Sequence, residues 1–324
     1  MSANKTYEFD IISVIISYNQ EIFIQKTIES VLSQNLSYKH HIVIIDDASS
    51  DSSVEIIKSY KERYPQLIST LIQEKNIGIE KVISTFYSFV KNKSKYLTII
   101  EGDDYWNNPL KLQKQIDFLE QNKDYAGCFH DAIINSTNQI TGAPKLAKIQ
   151  THDEYKTYSQ FNRYLSDFHP WHLMQRNIIP TASLVFYNSS LNDIIGKFSK
   201  INLSLNWGFH LYLIRKSKFK YFNETWSVYN DHPEGFSKKF EYNKFKISNV
   251  NILKLLYKFK FYAWYDIDLN QAIVKEYKQI LFNPATKKQS FGFLLNYMFK
   301  YFFRSFFVLH LEIFYNFSQF IKKQ

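Results

Sequence analysis

Residues 95–106 read KYLTIIEGDDYW, an apolar run suited to a sheet interior that ends abruptly in two adjacent carboxylates, Asp103 and Asp104. Like charges side by side repel, so a cation is expected between them and a further partner. Carboxylate oxygens suit hard divalent ions such as Mg²⁺ or Mn²⁺, which are commonly held by one or two carboxylates together with substrate phosphates. The competing reading is a solvated acidic turn. A second segment, HIVIIDDASSD at residues 41–51, repeats the pattern: β-type apolar residues, then Asp46 and Asp47, then serine-rich turn chemistry. Ser52 and Glu55 have capping-box spacing, and Val54, Ile57 and Tyr60 continue at helical intervals.

The elements that must position these acids are readable from hydrophobic periodicity. Strands are expected at 11–17, 41–45, 67–72 and 96–100, alternating with helices at 22–32, 54–64, 79–90 and 110–119. Asn108 is placed to cap the last helix, with Pro109 at its first position. Strict alternation of strand and helix implies a mostly parallel sheet covered on both faces. In such sheets ligands bind outside the carboxyl ends of the strands, so both acidic pairs are expected to face one pocket.

Other α/β chemistries fail on the same residues. A dinucleotide-binding dehydrogenase needs G-x-G-x-x-G after its first strand, whereas SYNQEI contains no glycine. A phosphorylation receiver would open with its acidic pair and finish in far fewer residues. No G-x-x-x-x-G-K phosphate loop occurs anywhere in the chain.

Several segments, taken in order, carry a resemblance. They are DIISVIISYNQEIFIQKTIESVLSQ, HIVIIDDASSDSSVEIIKSY, NIG at Asn76–Gly78 and IEGDDYWNNPLKLQKQIDFLE, followed more weakly by NIIPTASLVF, NWGFHLYLI and YNDHPEGFS. Together they resemble family 2 glycosyltransferases of the bacterial cell-surface polysaccharide type. The resemblance implies a GT-A fold, Rossmann-like and α/β. It also implies a nucleoside-diphosphate sugar as donor, most simply a UDP-sugar, with Mn²⁺ or Mg²⁺ as cofactor and inversion at the transferred carbon. On that resemblance Tyr18 would lie on the nucleobase and Asp47 would accept from the edge of a uracil-type base. Asp103 would approach the ribose, Asp104 would bind the metal bridging the diphosphate, and His232 would complete the metal shell.

The resemblance fails at one place. Inverting relatives carry a carboxylate before an apolar helix to take the acceptor proton, and this chain has Asn206 there, followed by Trp207. An amide cannot serve as a general base. Either the chain is a non-catalytic sugar-nucleotide-binding or scaffold subunit, or His210, Asp193 or Asp231 takes the proton, or the two second halves do not correspond.

Composition sets the remaining bounds. A chain of 324 residues, 45% hydrophobic, can hold a large α/β domain and an appendage, expected at 1–240 and 241–324. The single Cys128 excludes an internal disulfide framework, and MSANKTYEFD has no charged-then-apolar leader, so a cytoplasmic location is expected. From Asn243 onward there are 13 Lys and Arg against 4 Asp and Glu, and Phe291–Ile321 contains 13 aromatic residues. This extension is expected to be helical, aromatic and basic, with uncharged runs too short to span a bilayer. Three uses compete for it: an anionic membrane surface on the inner face of the cell membrane, where a lipid-linked or glycan acceptor would be met; packing; or a homo-oligomer contact. Nucleic acid ranks behind these, because no recognised binding motif accompanies the charge.

Overall fold

FDIISVIIS at Phe9–Ser17 forms β1, and Ile11, Ile12, Val14 and Ile15 within it are fully buried. Burial on both faces follows from a central position in a parallel sheet. On one side β1 pairs with β2, His40–Asp46, and β2 pairs with β3, Ile68–Ile72. On the other side β1 pairs with β4, Ser94–Glu101, and all three pairings are parallel. The connections are α1 at Ile24–Leu32, α2 at Ser53–Arg63 and α3 at Ile79–Val90. Each element lies within two residues of its expected limits. The computed structural model describes residues 6–136, 166–174, 177–191, 205–215, 217–235 and parts of 248–276.

Beyond β4 the sheet becomes mixed. The two-residue strand β5, Tyr105–Trp106, leads to α4, Lys111–Gln121, and then to β6, Tyr125–Ser136. After β7, Asp167–Phe168, come the short helix α5, Pro170–Met174, a 3-10 turn at Thr181–Ser183 and β8, Val185–Tyr187. The helix α6, Leu205–Ile214, and the long strand β9, Lys218–Asp231, complete the described part. The strand order is β3-β2-β1-β4-β8-β6-β9-β5, with β7 on β9. Strand β8 runs antiparallel between β4 and β6, and β9 returns parallel to β6. This is the α/β architecture of a GT-A fold.

Two local expectations are corrected. Helix α4 begins at Lys111 rather than Pro109; the Asn108 side chain accepts from the Leu110 amide at 2.9 Å and so closes the turn before the helix. Ser52 precedes α2 but makes no side-chain cap, because its amide donates instead to Glu21 Oε2 at 2.9 Å.

The chain divides into two units, Met1–Leu173 with Asn177–Lys239, and Met174–Arg176 with Phe240–Gln324. Within the second, Val250, Ile252, Leu253 and Leu256 are buried, and the Asn249 amide group donates to Glu276 at 3.0 Å. Among the described residues no helix is long and apolar enough to cross a membrane. Asp193 and the aromatic stripe of Phe291–Ile321 lie outside the described residues.

Candidate active site

Register brings the acids together. Ser17 pairs with Asp46 and Ile16 with Glu101, so β1, β2 and β4 end at one level. The chain leaves each end in contact with its neighbour: the Asp47 amide donates to Ser17 O at 3.0 Å, and the Gly102 amide to Ile16 O at 2.8 Å. Both acidic segments therefore hang from the end of β1, on the two sides of the strand where the connections change direction.

The loop after β1 is fastened to the loop after β2. Amides of Asn19, Gln20 and Glu21 donate to Ser49 Oγ, Ser53 Oγ and Asp51 Oδ2 at 2.8, 2.8 and 3.0 Å. In return the Ser50 amide donates to Asn19 Oδ1 at 2.8 Å. Asn19 and Ala48 hold the left-handed conformation that these turns require, at φ 52° and 61°. Tyr18 stands on this braced backbone with 44% of its surface exposed. A ring held out on a stiff support is suited to stacking on a flat ligand.

Asp47 is buried and already engaged: Oδ1 accepts from the Ile77 amide at 2.7 Å and Oδ2 from the Gly78 amide at 3.0 Å. Gly78, at φ +80°, opens α3, so this carboxylate sits at a helix N-terminus. Each oxygen keeps a second lone pair for an outside donor. Asp46 is spent internally on the amide and hydroxyl of Ser49, at 2.8 and 2.6 Å.

Around Asp103 and Asp104 the supports come from far away in sequence. The Thr27 hydroxyl lies 2.7 Å from Gly102 O and 2.6 Å from Asp104 O, pinning the loop to α1. At the end of β9 the Asn230 amide donates to Asp104 Oδ1 at 3.0 Å, and the Asn230 side chain donates to Asp103 O. The His232 ring lies on the face of Phe23, centroids 4.7 Å apart, with Nε2 3.2 Å from Asp103 Oδ2. Gly102 lies close to its neighbours: a Cβ there would meet the side-chain ends of Gln20 at 2.2 Å and Ile24 at 2.9 Å, which would have to shift, and Ile16 O at 3.1 Å.

The electrostatics are one-sided. Burial above all, then Asp103 and Glu101, pushes the Asp104 carboxyl well above the usual range, against a pull from the Asn230 amide. Burial and then Asp103 push Glu101 up to about 7, opposed by hydrogen bonds from Thr181 and Asn206. Among the described residues no Lys or Arg pairs with Asp103 or Asp104, and the ionisable partner of Asp103 is His232. A divalent cation would relieve this crowding. Among the described residues no three His, Cys, Asp or Glu side chains are grouped to hold an ion unaided. That fits an ion taken up by one or two carboxylates with phosphate oxygens supplying the rest.

The structure thus brings Asp103, Asp104 and His232 together, and places Tyr18 and Asp47 on the adjoining loops. Asn206, in the first turn of α6, donates to Thr181 Oγ1 at 2.8 Å and lies 3.4 Å from Glu101 Oε1. His210, one turn further along α6, is engaged elsewhere: its ring is buried, with Nδ1 3.1 Å from Asn177 Oδ1, and burial lowers it to about 3. Sequence reasoning passed over Glu101, Thr27, Thr181 and Asn230. Only Glu101 carried a signal, as the polar end of an apolar strand two residues before Asp103.

Residues 13–179 match the family described as Glycosyl transferase family 2. The chain belongs to that family. An uncharacterised protein of Mycobacterium tuberculosis is 30% identical over 225 residues, which cover 68% of this chain and 59% of that protein. Among solved structures, S. aureus TarS residues 1–349 in complex with UDP-GlcNAc superposes with a TM-score of 0.62 at 14% identity, covering 86% of this chain and 76% of that one. The mannosyltransferase PcManGT of Pyrobaculum calidifontis, in complex with GDP-Man and Mn²⁺, gives a TM-score of 0.51 at 11% identity, covering 92% and 82%. At such identities the structural likeness speaks for the fold alone.

Proposed function

We propose that this chain is a glycosyltransferase that moves a sugar from a nucleoside-diphosphate sugar, a UDP-sugar first, to a hydroxyl of a glycan or lipid-linked acceptor, with inversion. The observation that carries this reading is the convergence of Glu101, Asp103, Asp104 and His232 at the switch point, where no Lys or Arg among the described residues pairs with the two aspartates. Tyr18 would stack on the base and Asp47 would accept from its edge with its spare lone pairs. Asp103, steadied by His232, would face the ribose. Asp104 would hold Mn²⁺ or Mg²⁺, and His232, which meets Asp103 at 3.2 Å, would join the shell. When bound, that ion offsets the charge developing on the departing diphosphate. Family membership and the two nucleotide-sugar complexes among the solved likenesses support the donor class.

A second reading is kept by Asn206, an amide where a carboxylate is expected: a subunit that binds the donor without turning it over. The basic extension from Asn243 onward would bring either form to an anionic inner membrane face, where lipid-linked acceptors lie. The deciding experiment measures UDP or GDP release from a panel of nucleotide sugars with and without Mn²⁺. Metal-dependent release from one donor supports transfer. Tight metal-dependent binding with no release favours the second reading, and neither binding nor release overturns both.

A further inference from the structure

Asn206 stands exposed in the first turn of α6, and its side-chain nitrogen has two partners, Thr181 Oγ1 at 2.8 Å and Glu101 Oε1 at 3.4 Å. The end of an amide that faces a carboxyl oxygen is its NH₂, because a carbonyl there would set acceptor against acceptor. Thr181 gives its own hydroxyl proton to Glu101, which leaves Thr181 Oγ1 to accept from Asn206. The three groups therefore fix which way the amide points, and among the described residues no donor meets Asn206 Oδ1. Next to it the Trp207 indole is buried and donates to Leu173 O at 2.6 Å, so the turn that carries the amide is anchored. An exposed acceptor on a fixed support takes hydrogen bonds from O–H and N–H groups only.

Sheet order says what arrives there. Along the carboxyl edge Asp47 follows β2, Tyr18 follows β1 and the Asp103–Asp104 pair follows β4. The next strand, β8, runs antiparallel to β4, so the Thr181–Ser183 turn at its entrance lies level with the end of β4. A nucleotide sugar laid along that edge, with its base at Tyr18 and Asp47 and its diphosphate at Asp104, carries its sugar on towards Thr181 and Asn206. Resting on the donor-site reading above, we infer that Asn206 is a specificity-determining residue: its Oδ1 accepts a hydrogen bond from a hydroxyl or acetamido N–H of the transferred sugar, and that sugar is a neutral one. A uronate carboxylate would set acceptor against acceptor at Oδ1, in a crevice already crowded with the carboxyls of Glu101, Asp103 and Asp104.

The test is calorimetry on the full chain in Mn²⁺ with UDP, UDP-glucose, UDP-galactose, UDP-GlcNAc, UDP-GalNAc and UDP-glucuronate. A hydrogen bond is worth up to about tenfold in affinity, so one neutral UDP-sugar should bind about tenfold more tightly than UDP, and UDP-glucuronate no more tightly than UDP. Asn206→Ala should bind UDP as wild type does, melt at the same temperature and lose that gain. Analogues of the preferred UDP-sugar, with each hydroxyl or acetamido group in turn replaced by hydrogen, locate the contact. One of them should lose the gain in wild type and be indifferent to Asn206→Ala, as a direct pair requires. Neutral sugars no tighter than UDP in wild type, or an Asn206→Ala chain that keeps the gain, overturn the inference. So do UDP-glucuronate binding more tightly than every neutral sugar, and a folded Asn206→Ala chain that loses UDP itself, which would move the residue to the nucleotide end. Failure of the donor-site reading shows separately, in a wild-type chain that binds none of the six, and the inference falls with it.

Discussion

Two regions of this molecule bury an ionisable group that no described residue pairs with an opposite charge, and they end differently. At the switch point Asp104 is buried but keeps 4% exposure, and burial above all, then Asp103 and Glu101, pushes its carboxyl upward. Behind it, in the first turn of α4, Lys111 is fully buried, its Nζ lacks a hydrogen-bond partner, and it lies 4.1 Å from the centre of the Trp106 ring. Burial lowers Lys111 to about 7, opposed only by Cys128. The physics is the same, since an isolated ion in a low-dielectric interior is costly and sheds or gains a proton. Access differs. The acids stand where loops leave a sheet and Asn206 is exposed, so a cation and a nucleotide can reach them; Lys111 is closed in beneath an indole. A perturbed titration marks function only where a ligand can arrive.

The sharpest way to break this contrast is Asp104→Ala. UDP affinity in Mn²⁺ should fall about 100-fold, the upper end of losses known for groups that merely support a metal. Melting temperature should change little, since relief of a buried carboxyl crowded by Asp103 and Glu101 is offset by the Asn230 amide left without its acceptor. Calorimetry with and without Mn²⁺, beside a thermal melt, reads both, and unchanged affinity in a folded variant would erase the distinction.

Lys111→Met probes the other side. UDP binding should stay as in wild type while stability rises by about 2 kcal/mol at neutral pH, as when a buried ion gives way to an apolar residue of similar length. The folded pKa is depressed, from 10.5 to about 7, so between those values the unfolded chain holds the extra proton. Wild-type stability should therefore climb through that window by up to about 1.4 kcal/mol per pH unit from this group. The advantage of Lys111→Met should be largest at and below pH 7 and shrink towards pH 10. Urea unfolding at several pH values checks this, and an advantage that does not change with pH would mean the amine stays charged.

Gly102→Ala tests the closeness of the crevice. Its Cβ would push aside the side-chain ends of Gln20 and Ile24 and press on Ile16 O, so the cost should be about 1 kcal/mol in stability, the low end for overpacking, with modestly weaker UDP binding. A variant that melts and binds like wild type would refute the tight approach. Smallest is Tyr18→Ala, expected to weaken UDP about tenfold, the low end for losing an aromatic platform under a base, without affecting the melt.

Legibility in the sequence followed the same divide. β1 to α4 were readable because parallel strands buried on both faces are unbroken apolar runs, and their ends carry the acids. β8 has three residues and β7 two, too short for any period to show. The pairing of β6 with β9 joins residues some ninety positions apart, with register shifts around His130 and Asp131. Thr27 and Asn230 carried no signal of their own; only the folded chain shows that they hold Gly102, Asp103 and Asp104. Asn206 was noticed for the acid it lacks, whereas Glu101, 3.4 Å away in the fold, was legible only as the polar end of an apolar strand.

The fastening between the loops after β1 and β2 carries a consequence for anyone redesigning donor choice. Donors at 19, 20, 21 and 50 meet acceptors on the opposite loop one for one, so either loop transplanted alone would strand its partner's amides. Residues 18–23 and 47–53 form a single exchangeable cassette, and base preference should move between homologues only when both halves travel together.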